Sequence, residues 1–94
     1  MAFQQEKAEQ LALRALAWLV GNEELLPVFM GATGAAADDL KNRAGEPDFL
    51  ASVLDFLTMD DAWVMAFCDA EGLDYACPMQ ARAALPGGQI PDWT

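Results

Sequence analysis

Histidine is absent from the chain, and this absence excludes the commonest kinds of catalytic site. A Ser–His or Cys–His nucleophile requires an imidazole as its general base, so neither can form here. Ser52 is the sole serine, and no base stands near it in sequence. A glycine-rich phosphate loop is missing too, because Pro86, Gly87 and Gly88 precede a predicted extended segment and not a helix. We therefore expect a protein that is not an enzyme and has neither catalytic residues nor a cofactor.

Cysteine is scarce: the chain has two, Cys68 and Cys77. Their separation of nine residues matches neither a C-x-x-C redox motif nor half of a zinc site, and the chain offers no second pair of ligands. We interpret them as free thiols in a reducing cytoplasm. A disulfide that closes the short loop between them remains an alternative, since sequence alone does not give its geometry.

Positive charge is also scarce: five Lys and Arg face 15 Asp and Glu, for a formal net charge of −10. Such a chain repels nucleic-acid phosphates unless its cations cluster, and here they are scattered. The predicted helices on either side of Gly72 have the order of a helix-turn-helix, but the second contains Pro78 and a single cation, Arg82. We expect no nucleic-acid partner. The charge confers solubility and favours a basic partner.

Long hydrophobic runs are absent as well. The longest apolar runs, at 15–20 and 62–68, have six and seven residues, far short of the roughly 20 residues that a membrane-spanning helix needs. No basic segment followed by an apolar stretch marks a signal peptide at the N-terminus. We expect a cytoplasmic protein that has no contact with membranes.

Acidic doublets are the first places where a metal site would be sought. They occur at 23–24, 38–39 and 60–61, and each falls at the start of a predicted helix, where carboxylates stabilise the helix dipole. The segment at 69–74 is faintly similar to a calcium loop, but it lacks the 12-residue spacing and the terminal bidentate Glu. We predict no metal site.

The stretch at 47–58 is the best candidate for the centre of the fold. Pro47 suits the first helical position, and Asp48 suits the positive end of the helix dipole. The large apolar side chains recur at helical spacing and cover more of the circumference than a surface helix needs. They are Phe49, Leu50, Val53, Leu54, Phe56 and Leu57. We predict a nearly buried central helix, flanked by other helices.

The first of these, at 4–20, is predicted to end at Gly21 in the left-handed conformation that glycine tolerates. Its expected buried face consists of Ala8, Leu11, Ala12, Ala15, Leu16 and Leu19. Asn22 is expected to cap a second helix at 23–30, which Gly31 and Gly34 break. A third helix, at 38–44, is predicted to carry two ion pairs. They are Asp38–Lys41 and Asp39–Arg43.

Two further helices follow the central one. Asp60 and Asp61 open the first of them, and Gly72 closes it. Asp74 is expected to cap the last helix, in which Pro78 comes early. The residues expected on its apolar side are Met79, Ala83 and Leu85. No alternating apolar and polar run has the length of a strand, so a sheet is not expected.

The two halves of the chain resemble each other at an offset of 38 or 39 residues. Asn22, Phe29 and Gly34 correspond to Asp60, Phe67 and Gly72. Arg43 corresponds to Arg82 with one further residue inserted. These matches favour two pseudo-repeated helix pairs around the central helix. Chance similarity in an alanine-rich chain is the alternative.

The sequence thus predicts an all-α fold: a small compact bundle of five to six short helices. A single helical domain is expected at 1–88, followed by an extended C-terminal tail at 89–94. Such short helices cannot turn every apolar residue toward one core. We predict that the excess forms a surface for a protein partner or a homodimer, composed of Leu13, Ala17, Trp18, Met30 and Trp93. The functional hypothesis is a non-enzymatic protein-interaction or self-associating module. The alternative is a small-molecule-binding or enzymatic role that uses acidic residues.

Several segments carry a resemblance to a known family. They are ALAWL at 15–19, DFLASVLDFL at 48–57, AFC at 66–68, GL at 72–73 and ARAALPGG at 81–88. In order and spacing, they resemble a family of short all-helical alphaproteobacterial proteins that is classified only as a domain of unknown function. The resemblance implies a cytoplasmic, helical, single-domain protein. It implies no activity, cofactor or catalytic residue.

Overall fold

In the computed structural model, which describes residues 4–85, every regular element is an α-helix. The six helices of this part are α1 (Gln5–Val20), α2 (Leu25–Thr33), α3 (Ala37–Asn42), α4 (Pro47–Leu57), α5 (Asp61–Glu71) and α6 (Cys77–Ala83). The all-α bundle predicted from sequence is confirmed. The predicted tail at 89–94 and the domain end at residue 88 lie outside the described residues.

Helix α4 lies at the centre, because α1, α2 and α6 all pack against it. Pro47 occupies its first turn, where the missing N–H removes no hydrogen bond. Its buried side chains are Phe49, Leu50, Ala51, Val53, Leu54, Phe56 and Leu57. Their burial confirms the predicted central helix.

Helix α1 buries the face that its periodicity predicts: Ala8, Leu11, Ala12, Ala15, Leu16 and Leu19. The predicted end at Gly21 is confirmed, but the left-handed conformation expected there is wrong, since the φ of Gly21 is −80° and its N–H donates to the carbonyl of Ala17. The chain continues in a right-handed turn, in which the N–H of Asn22 donates to the carbonyl of Leu19 at 3.0 Å. A glycine permits a left-handed end but does not require one.

Helix α2 begins after an Asx turn. Asn22 Oδ1 accepts the N–H groups of Glu24 and Leu25 at 3.0 and 3.1 Å, which confirms the cap. The predicted break at Gly31 is wrong, because α2 continues through it to Thr33. The predicted break at Gly34 is confirmed: the helix ends there, where a φ of 73° stops the helical winding.

The two ion pairs predicted for α3 are wrong, since neither Asp39–Arg43 nor Asp38–Lys41 forms in the described part of the chain. Asp39 Oδ2 accepts the N–H of Ala36 at 3.0 Å, so this carboxylate caps the helix. Arg43 instead pairs with Glu46 at 3.2 Å and lies 5.1 Å from the centre of the Phe49 ring. Contact with the aromatic face adds to the charge pair.

Helices α5 and α6 have the predicted caps. Asp60 Oδ1 accepts the N–H of Ala62 at 2.8 Å, Gly72 has a φ of 70°, and Asp74 Oδ1 accepts the N–H of Ala76 at 2.9 Å. The predicted apolar side of α6 is wrong for two of its three residues. Met79 and Ala83 are exposed, whereas the buried residues are Pro78, Ala81 and Leu85.

The orientation of α6 is explained by a contact with α4. Arg82 donates to both carboxylate oxygens of Asp55, from Nε to Oδ1 and from Nη2 to Oδ2, the latter at 3.1 Å. This bidentate pair fixes which side of α6 meets the core. It joins residues 27 positions apart, so periodicity within α6 did not reveal it.

The internal similarity is visible in local structure. Each half has an Asx cap, a fully buried Phe and a left-handed Gly in the same order. The packing differs, because α2 contacts α1 and α4 closely in the first half, whereas α6 does so in the second. Superposition of 22–44 on 60–83 stays a prediction.

The glycines of α2 give a matched pair of substitutions. We expect Gly31→Ala to stabilise the fold by about 0.4–1 kcal/mol, because it reduces the freedom of the unfolded chain and, apart from the adjoining backbone of its own helix, nothing lies within 4 Å of the new Cβ. Gly34→Ala is expected to destabilise it by about 1–2 kcal/mol, because its φ of 73° strains an L side chain. Urea unfolding measures the change in the free energy of unfolding for each variant. Changes of the same sign would contradict the different roles assigned to Gly31 and Gly34.

Candidate functional site

The outward side of α1 carries three apolar residues at i, i+4 and i+7. Leu13 is 42% exposed, Val20 is 49% exposed, and Ala17 between them is exposed. Residues at this spacing share one side of a helix. We call these three residues the α1 outer stripe. Its position is fixed, because the opposite face of the same helix is buried in the core.

The structure divides the predicted partner surface. Leu13 and Ala17 belong to the outer stripe, whereas Trp18 and Met30 are half-buried and packed against the chain's own core. The Trp18 ring meets Phe67 edge to face, with 5.8 Å between centroids. Trp93 lies outside the described residues. Val20, which the structure adds to the stripe, is not among the residues predicted for this surface.

A shallow open groove of about 650 Å³ adjoins the stripe at the corner between α1 and α2. Its lining consists of Ala17, Trp18, Gly21, Asn22, Glu23 and Glu24. Ala17 belongs to both the stripe and the groove, so the two form one surface. Trp18 and Ala17 line the groove on the α1 side, and the two glutamates give it an acidic rim.

In the described part of the chain, no cation pairs with the acidic rim, and neither Lys7 nor Lys41 forms an ion pair. The three arginines are engaged elsewhere, in the pairs Arg14–Glu71, Arg43–Glu46 and Arg82–Asp55. Among the described residues, Glu23 and Glu24 take part in no ion pair. Glu6, exposed one heptad before Leu13 on the same side of α1, has none either. The surface therefore carries negative charge at both ends of an apolar stripe.

A second cleft, of about 340 Å³, lies over α4. It is lined by Ala32, Thr33, Ala35, Arg43, Asp48, Phe49, Ser52, Asp55, Phe56 and Met59. Most of its polar groups serve the fold: Ser52 Oγ donates to the carbonyl of Phe49 at 2.6 Å, while Arg43 and Asp55 are held in ion pairs. The described residues contain no group of three or more side chains arranged to hold a metal.

The two cysteines are free and lie close together. The thiol of the buried Cys68 donates to the carbonyl oxygen of Asp74 at 3.4 Å, and the N–H of the half-buried Cys77 donates to the same oxygen at 3.0 Å. Burial raises the pKa of the Cys68 thiol above its ordinary value of 9.0, and the neighbouring Cys77 raises it further. The neutral thiol is therefore the form that the fold favours.

This raised pKa predicts a loss of stability in alkali. Above pH 9.0 the thiol ionises in the unfolded chain before it does so in the fold, so the free energy of unfolding is expected to fall as pH rises through this range. Tyr75, whose pKa is raised by a hydrogen bond to Asp69, changes stability in the same direction.

Urea unfolding of Cys68→Ala at several pH values isolates the contribution of the Cys68 thiol to this pH dependence. If the free energy of unfolding of Cys68→Ala declines with pH as steeply as that of the wild type, the role of this thiol is contradicted. Cys77→Ala is the control, because it keeps the buried thiol of Cys68.

In the part of the chain that the structure describes, no helix combines the length and the apolarity needed to cross a membrane. Comparison with known families gives a match to the model of a family described as "Protein of unknown function (DUF3572)", over residues 5–88. Comparison with the curated proteins and with the solved structures gives no match.

Proposed function

The chain belongs to the DUF3572 family, and from this premise we propose that it is a non-enzymatic helical module that binds protein. The surface proposed for binding is the α1 outer stripe together with the adjoining groove. The observation that carries the proposal is the exposure of Leu13 and Val20 on the helix whose other face is wholly buried.

The rigidity of α1 supports this function. Six buried residues anchor its inner face, so the stripe is held in one orientation before a partner arrives. A preorganised surface loses less conformational entropy on binding than a mobile one. Trp18, which is half-buried, also lines the groove, and tryptophan is among the residues enriched at the centre of many interfaces.

The test compares two double substitutions of equal size. Leu13→Gln with Val20→Gln removes the apolar character of the stripe, whereas Met59→Gln with Met79→Gln changes two residues that are 74% and 70% exposed elsewhere. Light scattering across protein concentration reports self-association, and pull-down from native lysate reports other partners. Urea unfolding verifies that both variants fold.

We expect the wild type and the methionine variant to associate equally, and the stripe variant to lose the association. Association unchanged in the stripe variant would contradict the proposed surface. A wild-type protein that stays monomeric and captures no partner would contradict the function.

A further inference from the structure

The class of partner is deduced from the charges at the two ends of the stripe. We propose that the surface binds a basic amphipathic helix of another protein, with apolar residues in the middle of the helix and Lys or Arg toward both of its ends. This inference rests on the proposed function. It names the partner by the chemistry that would complement the surface.

The shape of the surface suits a helix. Leu13, Ala17 and Val20 lie in a row along two turns of α1, and a second helix presents its own apolar residues at the same spacing. From Glu6 to Val20 the surface follows α1 over 14 residue positions, or about 21 Å at 1.5 Å per residue, and Glu23 and Glu24 lie in the turn just beyond the end of the helix. A partner helix of about 18 residues would reach both acidic ends.

The charges exclude a second copy as the preferred occupant. In an antiparallel dimer through this face, Glu6 of one protomer would meet Glu23 and Glu24 of the other. In a parallel dimer each of these carboxylates would meet its own copy. Both arrangements oppose like charges between protomers that each carry a net charge of −10. A basic helix would instead supply the cations that the chain's own arginines, held in internal ion pairs, do not.

The probe is a synthetic helical peptide of about 18 residues with leucines at i, i+4 and i+7 and lysines near both ends. One matched peptide has glutamate in place of every lysine, and a second keeps the composition but scatters the leucines around the helix. Isothermal titration calorimetry measures the dissociation constants at low and at physiological salt.

We expect the basic peptide to bind at least about tenfold more tightly than either matched peptide, and to weaken as salt rises. The triple variant Glu6→Gln, Glu23→Gln, Glu24→Gln should weaken that binding and remove most of its salt dependence. The variant Leu13→Gln with Val20→Gln should weaken it at every salt concentration. The methionine variant should bind as the wild type does.

Each contrary result overturns either the basic partner helix or the protein-binding surface itself. Equal binding of the basic and acidic peptides, or an unaffected triple variant, overturns the basic partner while the protein-binding surface stands. A dimer that the stripe variant abolishes, without binding of the basic peptide, assigns the surface to a second copy and overturns the partner class. A stripe variant that associates and binds peptide as the wild type does overturns both proposals.

Discussion

Replacing Phe29 with alanine is expected to lower the free energy of unfolding by about 3–5 kcal/mol. Phe29 is fully buried, and its ring meets Phe56 and Phe49 edge to face, with centroids 5.3 and 6.2 Å away. Alanine at this position would remove both aromatic contacts and leave a cavity in a packed region. Urea unfolding followed by circular dichroism measures the change.

The control for Phe29 is its neighbour on the same helix. Val28 is 48% exposed, so Val28→Ala should change the free energy of unfolding by no more than about 0.5 kcal/mol. A loss below about 1 kcal/mol for Phe29→Ala would show that α2 is not fastened to α4 by this ring.

Leu54→Ala is expected to cost about 2–5 kcal/mol, depending on how far the cavity collapses. The side chain is fully buried in α4, the helix against which α1, α2 and α6 pack. The same substitution at the outer stripe, Leu13→Ala, is the matched control, because Leu13 is 42% exposed. It should alter stability by no more than about 0.5 kcal/mol. Equal losses at the two positions would place the core elsewhere.

Local patterns predicted the helices because burial and periodicity act over a few turns. All six residues expected on the inner face of α1 are buried, and the caps formed by Asn22 and Asp60 are present. These features depend on neighbours within four residues along the chain, which sequence displays directly. The predicted all-α bundle rested on them.

The errors share a different cause, which is competition between partners. Arg43 had Asp39 one turn before it and Glu46 three residues after it, and the Phe49 ring favoured the second. The exposed side of α6 depends on Asp55, far away in sequence. Gly31 adopts a right-handed conformation that is open to any residue, so it did not mark the end of α2. Gly21 does end α1, but without the left-handed conformation expected there. Tertiary contacts decide such choices.

The candidate surface was predicted in part. Excess apolar residues on α1 pointed to Leu13 and Ala17, which are exposed as expected. Trp18 and Met30 pack against the core instead, and Phe67 of α5 meets the Trp18 ring edge to face. The acidic ends of the stripe became recognisable as uncompensated once the ion pairs of all three arginines were known.

The packing of α1 against α6 joins the first and the last helices of the described chain, and this affects how the protein folds during synthesis. A ribosome adds about 5–20 residues per second, so α1 is available seconds before its partner leaves the exit tunnel. During that interval the face formed by Leu11, Leu16 and Leu19 has part of its cover missing. A nascent chain stalled within α5 would therefore present an amphipathic helix to chaperones, and full protection of the α1 amides from hydrogen exchange requires the release of α6.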